Sequence, residues 1–242
     1  MTTLDESTDA TGEYVRLIDV IVGAGTERNI SLKLTQLGIN VDRATCVDNL
    51  LRILEPAARH GFFIRIDMEN SPYAERTIEI FETLWQYDYR NVGVALQSYL
   101  HRTDADIRRM SELGARVRLV KGAYKEPSSA ALQHKADVDK AFVRLVHLVL
   151  DSGACPAIAT HDPKIIAAVR AYAIERDVAK NQFEFQMLFG IRRDLQASLV
   201  AAGHRVPIYV PFGFEWFPYF MRRLGERPAN VGFVPRALAR EQ

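Results

Sequence analysis

Two adjacent arginines, Arg222 and Arg223, lie in the aromatic stretch WFPYFMRRLGERPAN, which covers residues 216–230. Because a guanidinium group forms paired hydrogen bonds with a carboxylate or a phosphate, such a pair suits a carboxylate-bearing substrate or a phosphorylated cofactor. Neighbouring residues of a helix point about 100° apart, so both arginines can hold one carboxylate only where the helix covers a pocket. Tyr219 lies on the same helix face one turn earlier, and Glu226, one turn later, is placed to orient the guanidinium groups. On a solvated face the two arginines would be ordinary surface cations.

A second group of polar side chains lies near the ends of short apolar runs. Its members are Lys33, Asp67, Gln97, Arg118, Lys121, Thr160, His161, Gln186 and Tyr209. Burying ionisable groups is costly unless they are paired. A buried ion pair that stabilises the fold would explain any one of them, but the whole series indicates a site. Its cations and its single acid, Asp67, suit a carboxylate-bearing substrate or a phosphorylated cofactor.

Several other kinds of site are not indicated. The sequence has no HExxH motif, no GxSxG motif and no pair of histidines at ligand spacing, so we predict no metal centre and no serine nucleophile. The run RLVKGAY (118–124) is a weak cofactor signal. Because Gly122 lacks a Cβ, backbone N–H groups and the ammonium of Lys121 can approach a phosphate or the edge of a flavin.

The composition is that of an ordinary globular protein, with 242 residues, 48% hydrophobic and 25% charged. A net charge of +1 predicts no nucleic-acid partner. Cys46 and Cys155 lie far apart in the sequence, which favours a reducing compartment and excludes a disulfide framework. No apolar run approaches the roughly 18 residues that a membrane span needs. Residues 1–12 carry no secretory signal and predict a short disordered lead.

Strand-like and helix-like segments alternate along the chain, and the first helix is predicted over residues 14–22. The predicted strands cover residues 29–36, 62–69, 91–98, 116–123, 156–162, 183–188 and 205–212. Their high apolar content is typical of parallel strands that are buried on both faces. Helix start signals such as Ser71-Pro72 and Asp162-Pro163 separate them. The alternation predicts an α/β fold with a parallel sheet.

Within this class, a TIM-type (β/α)8 barrel is favoured over a Rossmann sheet. The nearest glycine motif, GAGTER at residues 23–28, follows a helix and has no third glycine. We therefore predict one barrel domain over residues 13–242, in which only seven of the eight strands are identifiable. A seven-stranded barrel would expose two edge strands, so we expect either a truncated chain or an unusual segment that closes the gap.

These motifs, taken together, resemble the FAD-dependent proline dehydrogenase family. The match rests on ISLKLTQLG (30–38), IDME (66–69), Gln97, RLVKGAY (118–124), ATHD (159–162), FQML (185–188), GI (190–191) and the run from Tyr209 to Asn230. The resemblance implies a distorted (β/α)8 barrel that binds FAD at the strand ends and oxidises L-proline to Δ1-pyrroline-5-carboxylate. It also implies that a membrane quinone accepts the electrons. The protein is then expected in the cytoplasm or in peripheral contact with the inner membrane, without a transmembrane segment.

The resemblance also implies roles for individual residues. Arg118 matches the arginine close to flavin N5, and Asp67 matches the acid that supports the substrate cluster; these two are the predicted catalytic residues. The predicted substrate-binding residues are Lys33, Tyr209, Tyr219, Arg222 and Arg223, of which the two arginines match the carboxylate clamp. The predicted cofactor-binding residues are Met68, Gln97, Lys121, Gly122, Ala123, Thr160, His161 and Gln186.

Two features depart from the family pattern, and two alternatives stay open. Phe217 stands where the family often has tyrosine, and the upstream helices and first barrel strand of the family are not recognisable.

A lysine-dependent aldolase would use Lys33 or Lys121 to form a Schiff base, and another flavin barrel, such as a folate reductase, belongs to the same alternative. The second alternative is a truncated, non-catalytic remnant that keeps the arginine clamp but does not hold FAD.

Overall fold

The computed structural model describes residues 3–153 and 155–213, which form seven α-helices, one short 3₁₀ turn and seven strands. The helices are α1 (Leu4–Ala24), α2 (Arg43–Arg59), α3 (Ser71–Gln86), α4 (Thr103–Glu112), α5 (Lys135–Asp151), α6 (Pro163–Glu175) and α7 (Arg193–Ala201). The strands are β1 (Asn29–Leu32), β2 (Phe63–Ile66), β3 (Val92–Gln97), β4 (Val117–Val120), β5 (Ala157–Ala159), β6 (Glu184–Leu188) and β7 (Ile208–Tyr209). The predictions for Phe217, Tyr219, Arg222, Arg223 and Glu226 lie outside the described residues.

All seven strands are parallel and pair in chain order, from β1 to β7. The prediction of an α/β fold with a parallel sheet is therefore confirmed, and each observed strand lies within its predicted segment. No strand precedes β1 within residues 3–28, where α1 occupies most of the chain. The seven strands counted from the sequence are thus the seven that the described part of the chain forms.

The sheet curls so that one face turns inward. Adjacent strands lie about 4.8 Å apart, so a flat sheet would place β1 about 14 Å from β4. Yet Arg118 on β4 donates a hydrogen bond to Ser31 on β1 at 2.9 Å. The ends of the sheet also approach each other, because Arg205 before β7 forms an ion pair with Glu27 before β1 at 2.7 Å. The described strands therefore curve in the manner of a TIM barrel.

The two faces of the sheet differ in chemistry. Side chains alternate between the faces along a strand, and the helix-facing series is apolar and fully buried. This series includes Ile64, Ile66, Val94, Leu119, Ile158 and Phe185. The opposite face carries Arg65, Asp67, Arg118 and Gln186, which lie toward the barrel interior. The helices thus cover an apolar layer while the concave face is left for polar side chains.

The N-terminal segment differs from the predicted disordered lead, because α1 begins at Leu4. The side chain of Thr3 accepts a hydrogen bond from the backbone N–H of Glu6, and the Glu6 carboxylate accepts from the backbone of Thr3, which forms a capping box. Ser7 and Thr11 are fully buried, and their hydroxyls donate to carbonyl oxygens of α1 itself at 2.8 and 2.7 Å. The polar residues that suggested disorder are therefore satisfied within a packed helix.

None of the helices in the described ranges is long and apolar enough to cross a membrane.

Candidate active site

Arg118, at the centre of the curled sheet, connects four strands. Its Nε donates to Oε1 of Gln186 on β6 at 2.6 Å, and its Nη1 donates to Oδ1 of Asp67, just after β2, at 2.7 Å. Its Nη2 donates to Ser31 on β1. Because the side chain is almost fully buried, these three acceptors hold the guanidinium in one orientation.

Asp67 links this arginine to the last described strand. Its second carboxylate oxygen accepts a hydrogen bond from the hydroxyl of Tyr209 at 3.3 Å. The Tyr209 ring also lies 5.5 Å from the Arg118 guanidinium carbon, within the range of a cation–π contact. Three predicted site residues from β2, β4 and β7 therefore meet in the structure, as the argument from strand ends predicts.

Lys33 follows β1 directly, at the same end of the sheet as Asp67. The pairing of Leu32 with Ile66 places the two residues in adjacent positions beyond their strands. Within residues 3–153 and 155–213, Lys33 makes no ion pair. Nearby, Tyr14 donates to Oε1 of Gln36 at 2.6 Å, and burial raises the pKa of its phenol well above the ordinary value. Lys33 is thus positioned at the strand ends with its ammonium uncommitted to a described acid.

Gln97 and Met68 occupy the next position around the sheet. Gln97 ends β3 and donates from Nε2 to the backbone carbonyl of Met68 at 3.2 Å. Its Oε1 is buried and has no hydrogen-bond partner among the described residues. Buried acceptors are normally satisfied, so this oxygen marks a place where a ligand donor fits.

Lys121 lies just beyond β4 between two carboxylates. Its ammonium contacts Asp139 on α5 at 2.5 Å and Asp162, the cap of α6, at 3.3 Å. Burial acts to raise the pKa of both carboxyls, but hydrogen bonds and charge from Lys121 outweigh it, together with Lys135 at Asp139 and backbone N–H groups at Asp162, so both pKa values lie below the ordinary value. The lysine therefore joins the ends of β4, α5 and α6.

Replacing Lys121 with methionine is expected to destabilise the fold by about 2 kcal/mol at pH 7. Carboxyls with lowered pKa values stabilise the native state above their unfolded pKa of about 4, and this stabilisation disappears as the pH falls through the folded values. The deficit of Lys121→Met should therefore shrink between pH 7 and pH 3 in urea unfolding. Lys125→Met, at an exposed lysine nearby, should show no deficit. An equal deficit at both pH values would contradict this account.

Gly122 adopts a φ of +110°, which side chains rarely tolerate. A Cβ at this position would also lie 2.3 Å from the Tyr99 ring. The backbone at Gly122 therefore adopts a conformation that favours glycine. The space that a side chain would occupy there is filled by the Tyr99 ring. Ala123 follows as an exposed residue at the same end of the sheet.

Thr160 and His161 complete the series after β5. The Thr160 hydroxyl accepts a hydrogen bond from the backbone N–H of Asp162 at 3.1 Å. His161 Nε2 accepts from the backbone N–H of Leu188, at the end of β6, at 2.9 Å. This contact identifies Nε2 as the unprotonated nitrogen of that ring and fixes the relative position of the two strand ends.

The structure thus brings Asp67, Arg118, Gln186 and Tyr209 into one hydrogen-bonded network. It places the other predicted residues within the described ranges at the carboxyl ends of the strands, namely Lys33, Met68, Gln97, Lys121, Gly122, Ala123, Thr160 and His161. Two members of the network were not predicted: Ser31, and Glu184, which accepts from Gln186. Ser31 lies two residues before Lys33, and Glu184 lies two residues before Gln186. Because side chains alternate along a strand, this spacing is the signal that could have found them.

Comparison with known proteins gives consistent matches over nearly the whole chain. A family model described as proline dehydrogenase matches residues 2–236. Proline dehydrogenase 2 of Bacillus subtilis is 38% identical over 233 residues, which are 96% of this chain and 77% of that protein. The proline dehydrogenase of Deinococcus radiodurans is 40% identical over 235 residues, 96% of this chain and 76% of that protein.

A solved structure shows the same fold. The crystal structure of proline utilization A from Bdellovibrio bacteriovorus, inactivated by N-propargylglycine, superposes with a TM-score of 0.84 at 23% identity. The match covers 93% of this chain and 29% of that much longer protein. At this identity the likeness concerns the fold.

Proposed function

The chain belongs to the proline dehydrogenase family, and we propose that it oxidises L-proline to Δ1-pyrroline-5-carboxylate by hydride transfer to a bound FAD. The observation that carries this proposal is the Arg118 network on the inward face of the curled sheet. There, a buried guanidinium is held by acceptors from β1, β2 and β6. Arg118 and Asp67 are the residues proposed to act closest to the reacting atoms.

The residues at the strand ends fit a flavin nucleotide. The buried Oε1 of Gln97 lacks a hydrogen-bond partner among the described residues and suits an N–H donor such as that of an isoalloxazine ring. Lys121 is also proposed to contact the cofactor, from its position between Asp139 and Asp162, and Gly122 and Ala123 present backbone without bulky side chains. Met68, Thr160, His161 and Gln186 complete the proposed cofactor-binding set.

When bound, FAD supplies the two-electron acceptor for the oxidation. The chain provides electrostatics and orientation: the fixed positive charge of Arg118 stabilises negative charge that develops beside it during electron transfer. Asp67 offsets part of this charge and holds Nη1 of the guanidinium by a hydrogen bond of 2.7 Å. The arginine is preorganised, so no reorientation is needed at the moment of reaction.

The substrate is proposed to bind between this network and the mouth of the barrel. Lys33 is available for a carboxylate, and the Tyr209 ring, held beside Asp67, provides an apolar wall for a five-membered ring. Arg222, Arg223 and Tyr219 remain the proposed carboxylate clamp and second aromatic wall, on the strength of their sequence pattern. Electrons are proposed to pass on to a quinone, with peripheral contact at the cytoplasmic face of the membrane.

The proposal is tested by adding FAD to the purified chain and titrating it anaerobically with L-proline. We expect flavin absorbance bands that bleach with L-proline. Cyclopentanecarboxylate, which has the ring and carboxylate but no amine, should perturb the bands without bleaching them. A folded chain that binds no flavin would overturn the proposal in favour of the non-catalytic remnant.

The aldolase alternative has a separate readout. Borohydride reduction in the presence of a carbonyl substrate would attach that substrate to a lysine if a Schiff base forms. The structure disfavours this at Lys121, because Schiff-base formation would disrupt contacts with two carboxylates. We expect no trapped adduct.

A further inference from the structure

Glu184 lies inside the barrel, one step behind the Arg118 network. It is the first residue of β6, and only 1% of it is exposed. Its Oε1 accepts a hydrogen bond from Nε2 of Gln186 at 2.5 Å, and Oε1 of Gln186 in turn accepts from Nε of Arg118 at 2.6 Å. The three side chains therefore form a directed chain of hydrogen bonds.

The direction of these hydrogen bonds depends on the carboxylate of Glu184. A glutamine amide can present either its carbonyl oxygen or its NH₂ group to Arg118, whereas guanidinium nitrogens only donate and ionised carboxylates only accept. With Glu184 behind it, Gln186 must turn its NH₂ group toward the acid and its oxygen toward the arginine. The flipped amide would create two repulsive contacts at once, one with each neighbour.

Positively charged side chains lie close to Glu184. Arg65 is fully buried, and none of its three side-chain nitrogens has a hydrogen-bond partner within the described ranges. Burial, together with the charges of Arg118 and Arg116, lowers the pKa of Arg65 to about 9, while Glu184 acts in the opposite direction. Nη2 of Arg205, which precedes β7, lies 3.7 Å from Oε2 of Glu184. The acid thus offsets positive charge that would otherwise be unbalanced inside the barrel.

We infer that Glu184 is a positioning residue for the proposed reaction. Its carboxylate sets the amide orientation of Gln186 and thereby holds the guanidinium of Arg118 in the orientation that the flavin meets. The inference rests on the proposed function, because the value of a fixed Arg118 is its charge beside the cofactor. The hydrogen-bond chain itself exists in the flavin-free protein and is open to a separate measurement.

The first test follows arginine Nε–H signals by ¹⁵N NMR in the flavin-free chain. Glu184→Gln keeps the shape of the side chain, but an amide at position 184 can either donate or accept. Gln186 is then no longer held in one orientation, so hydrogen exchange at Arg118 Nε should speed up about tenfold. Asp106→Asn is the matched control, because Asp106 is another buried acid and accepts from Nε of Arg102 at 2.7 Å. It should alter the Arg102 signal and leave the Arg118 signal unchanged.

A double-mutant cycle separates positioning from general destabilisation. Gln186→Met removes the link, so adding Glu184→Gln to it should change Arg118 exchange by less than about twofold. Independent, additive effects of the two substitutions would overturn the inference, as would unchanged exchange in Glu184→Gln alone. If Glu184→Gln does not fold, Gln186→Met decides alone: unchanged Arg118 exchange would overturn the inference, and faster exchange would support it.

The second test measures the midpoint potential of the bound flavin. A loosened Arg118 stabilises the reduced flavin less, so Glu184→Gln should favour the oxidised form about tenfold, a shift of about −30 mV. Asp106→Asn should retain the wild-type potential. If the wild-type chain binds no flavin, the proposed function fails while the exchange measurement still decides the positioning role. If the wild type is bleached by L-proline and Glu184→Gln has the same potential, only the inference fails.

Discussion

Replacing Arg118 with methionine is expected to lower the rate of flavin reduction by L-proline about 10²- to 10³-fold, the usual effect of removing a preorganised electrostatic contact. The same change should destabilise the fold by about 3 to 5 kcal/mol, because Asp67 would lose its charged partner in a mostly buried position. Methionine retains much of the length of the side chain, so the loss is one of charge and hydrogen bonds. Anaerobic stopped-flow absorbance and urea unfolding measure the two effects.

Arg108→Met serves as the matched control for this substitution. Arg108 pairs with Asp104 on the exposed surface of α4, where 63% of the arginine side chain is accessible. Exposed pairs contribute little, so the free energy of unfolding should change by less than about 1 kcal/mol, and flavin reduction should proceed at the wild-type rate. A wild-type rate in Arg118→Met would contradict the catalytic role proposed for Arg118.

Replacing Gly93 with alanine is expected to destabilise the chain by about 3 kcal/mol. Gly93 lies in β3, and an added Cβ would come within 2.4 Å of the carbonyl oxygen of Arg116 and 2.7 Å of the Phe63 ring. Neither neighbour can move freely: Arg116 immediately precedes β4, whose pairing with β3 is continuous, and its guanidinium lies 4.3 Å from the centre of that ring. Urea unfolding followed by far-UV circular dichroism measures the loss.

Gly23→Ala is the control for the added methyl group. Gly23 lies within α1, and a Cβ there would meet nothing within 4 Å. Alanine favours helix and restricts the unfolded chain, so we expect a neutral result or a gain of about 0.5 kcal/mol. Similar stability of Gly93→Ala and the wild-type chain would mean that the strands around Phe63 are less tightly packed than the structure shows.

Periodicity predicted the regular elements well, because strand and helix patterns are local properties of the chain. All seven strands lie where apolar runs predicted them, and α3 and α6 begin at the Ser71-Pro72 and Asp162-Pro163 signals. The start of the chain could not be predicted in this way. Ser7 and Thr11 read as disorder-promoting residues, and only their burial in the fold shows that they belong to a packed helix.

The candidate site, like the fold, was predicted only in part from the sequence. We predicted that Asp67, Arg118, Gln186 and Tyr209 converge because parallel strands bring their carboxyl ends to one edge. Asp67 and Tyr209 lie at such ends, whereas Arg118 and Gln186 lie within β4 and β6 on the inward face. Glu184 was not predicted, although strand alternation puts it on the same face as Gln186. Its role became visible only with its burial inside the curled sheet, where it accepts a hydrogen bond from Gln186.

The sequence by itself determined the fold class and the order of the elements, and it predicts a basic, carboxylate-binding site, because these depend on residue types and on spacing along the chain. The tertiary structure decided which atoms meet. Arg118 reaches Ser31 and Gln186, which lie 87 and 68 positions away in the chain. Only the curvature of the sheet brings these side chains within hydrogen-bonding distance, and no local pattern encodes that curvature.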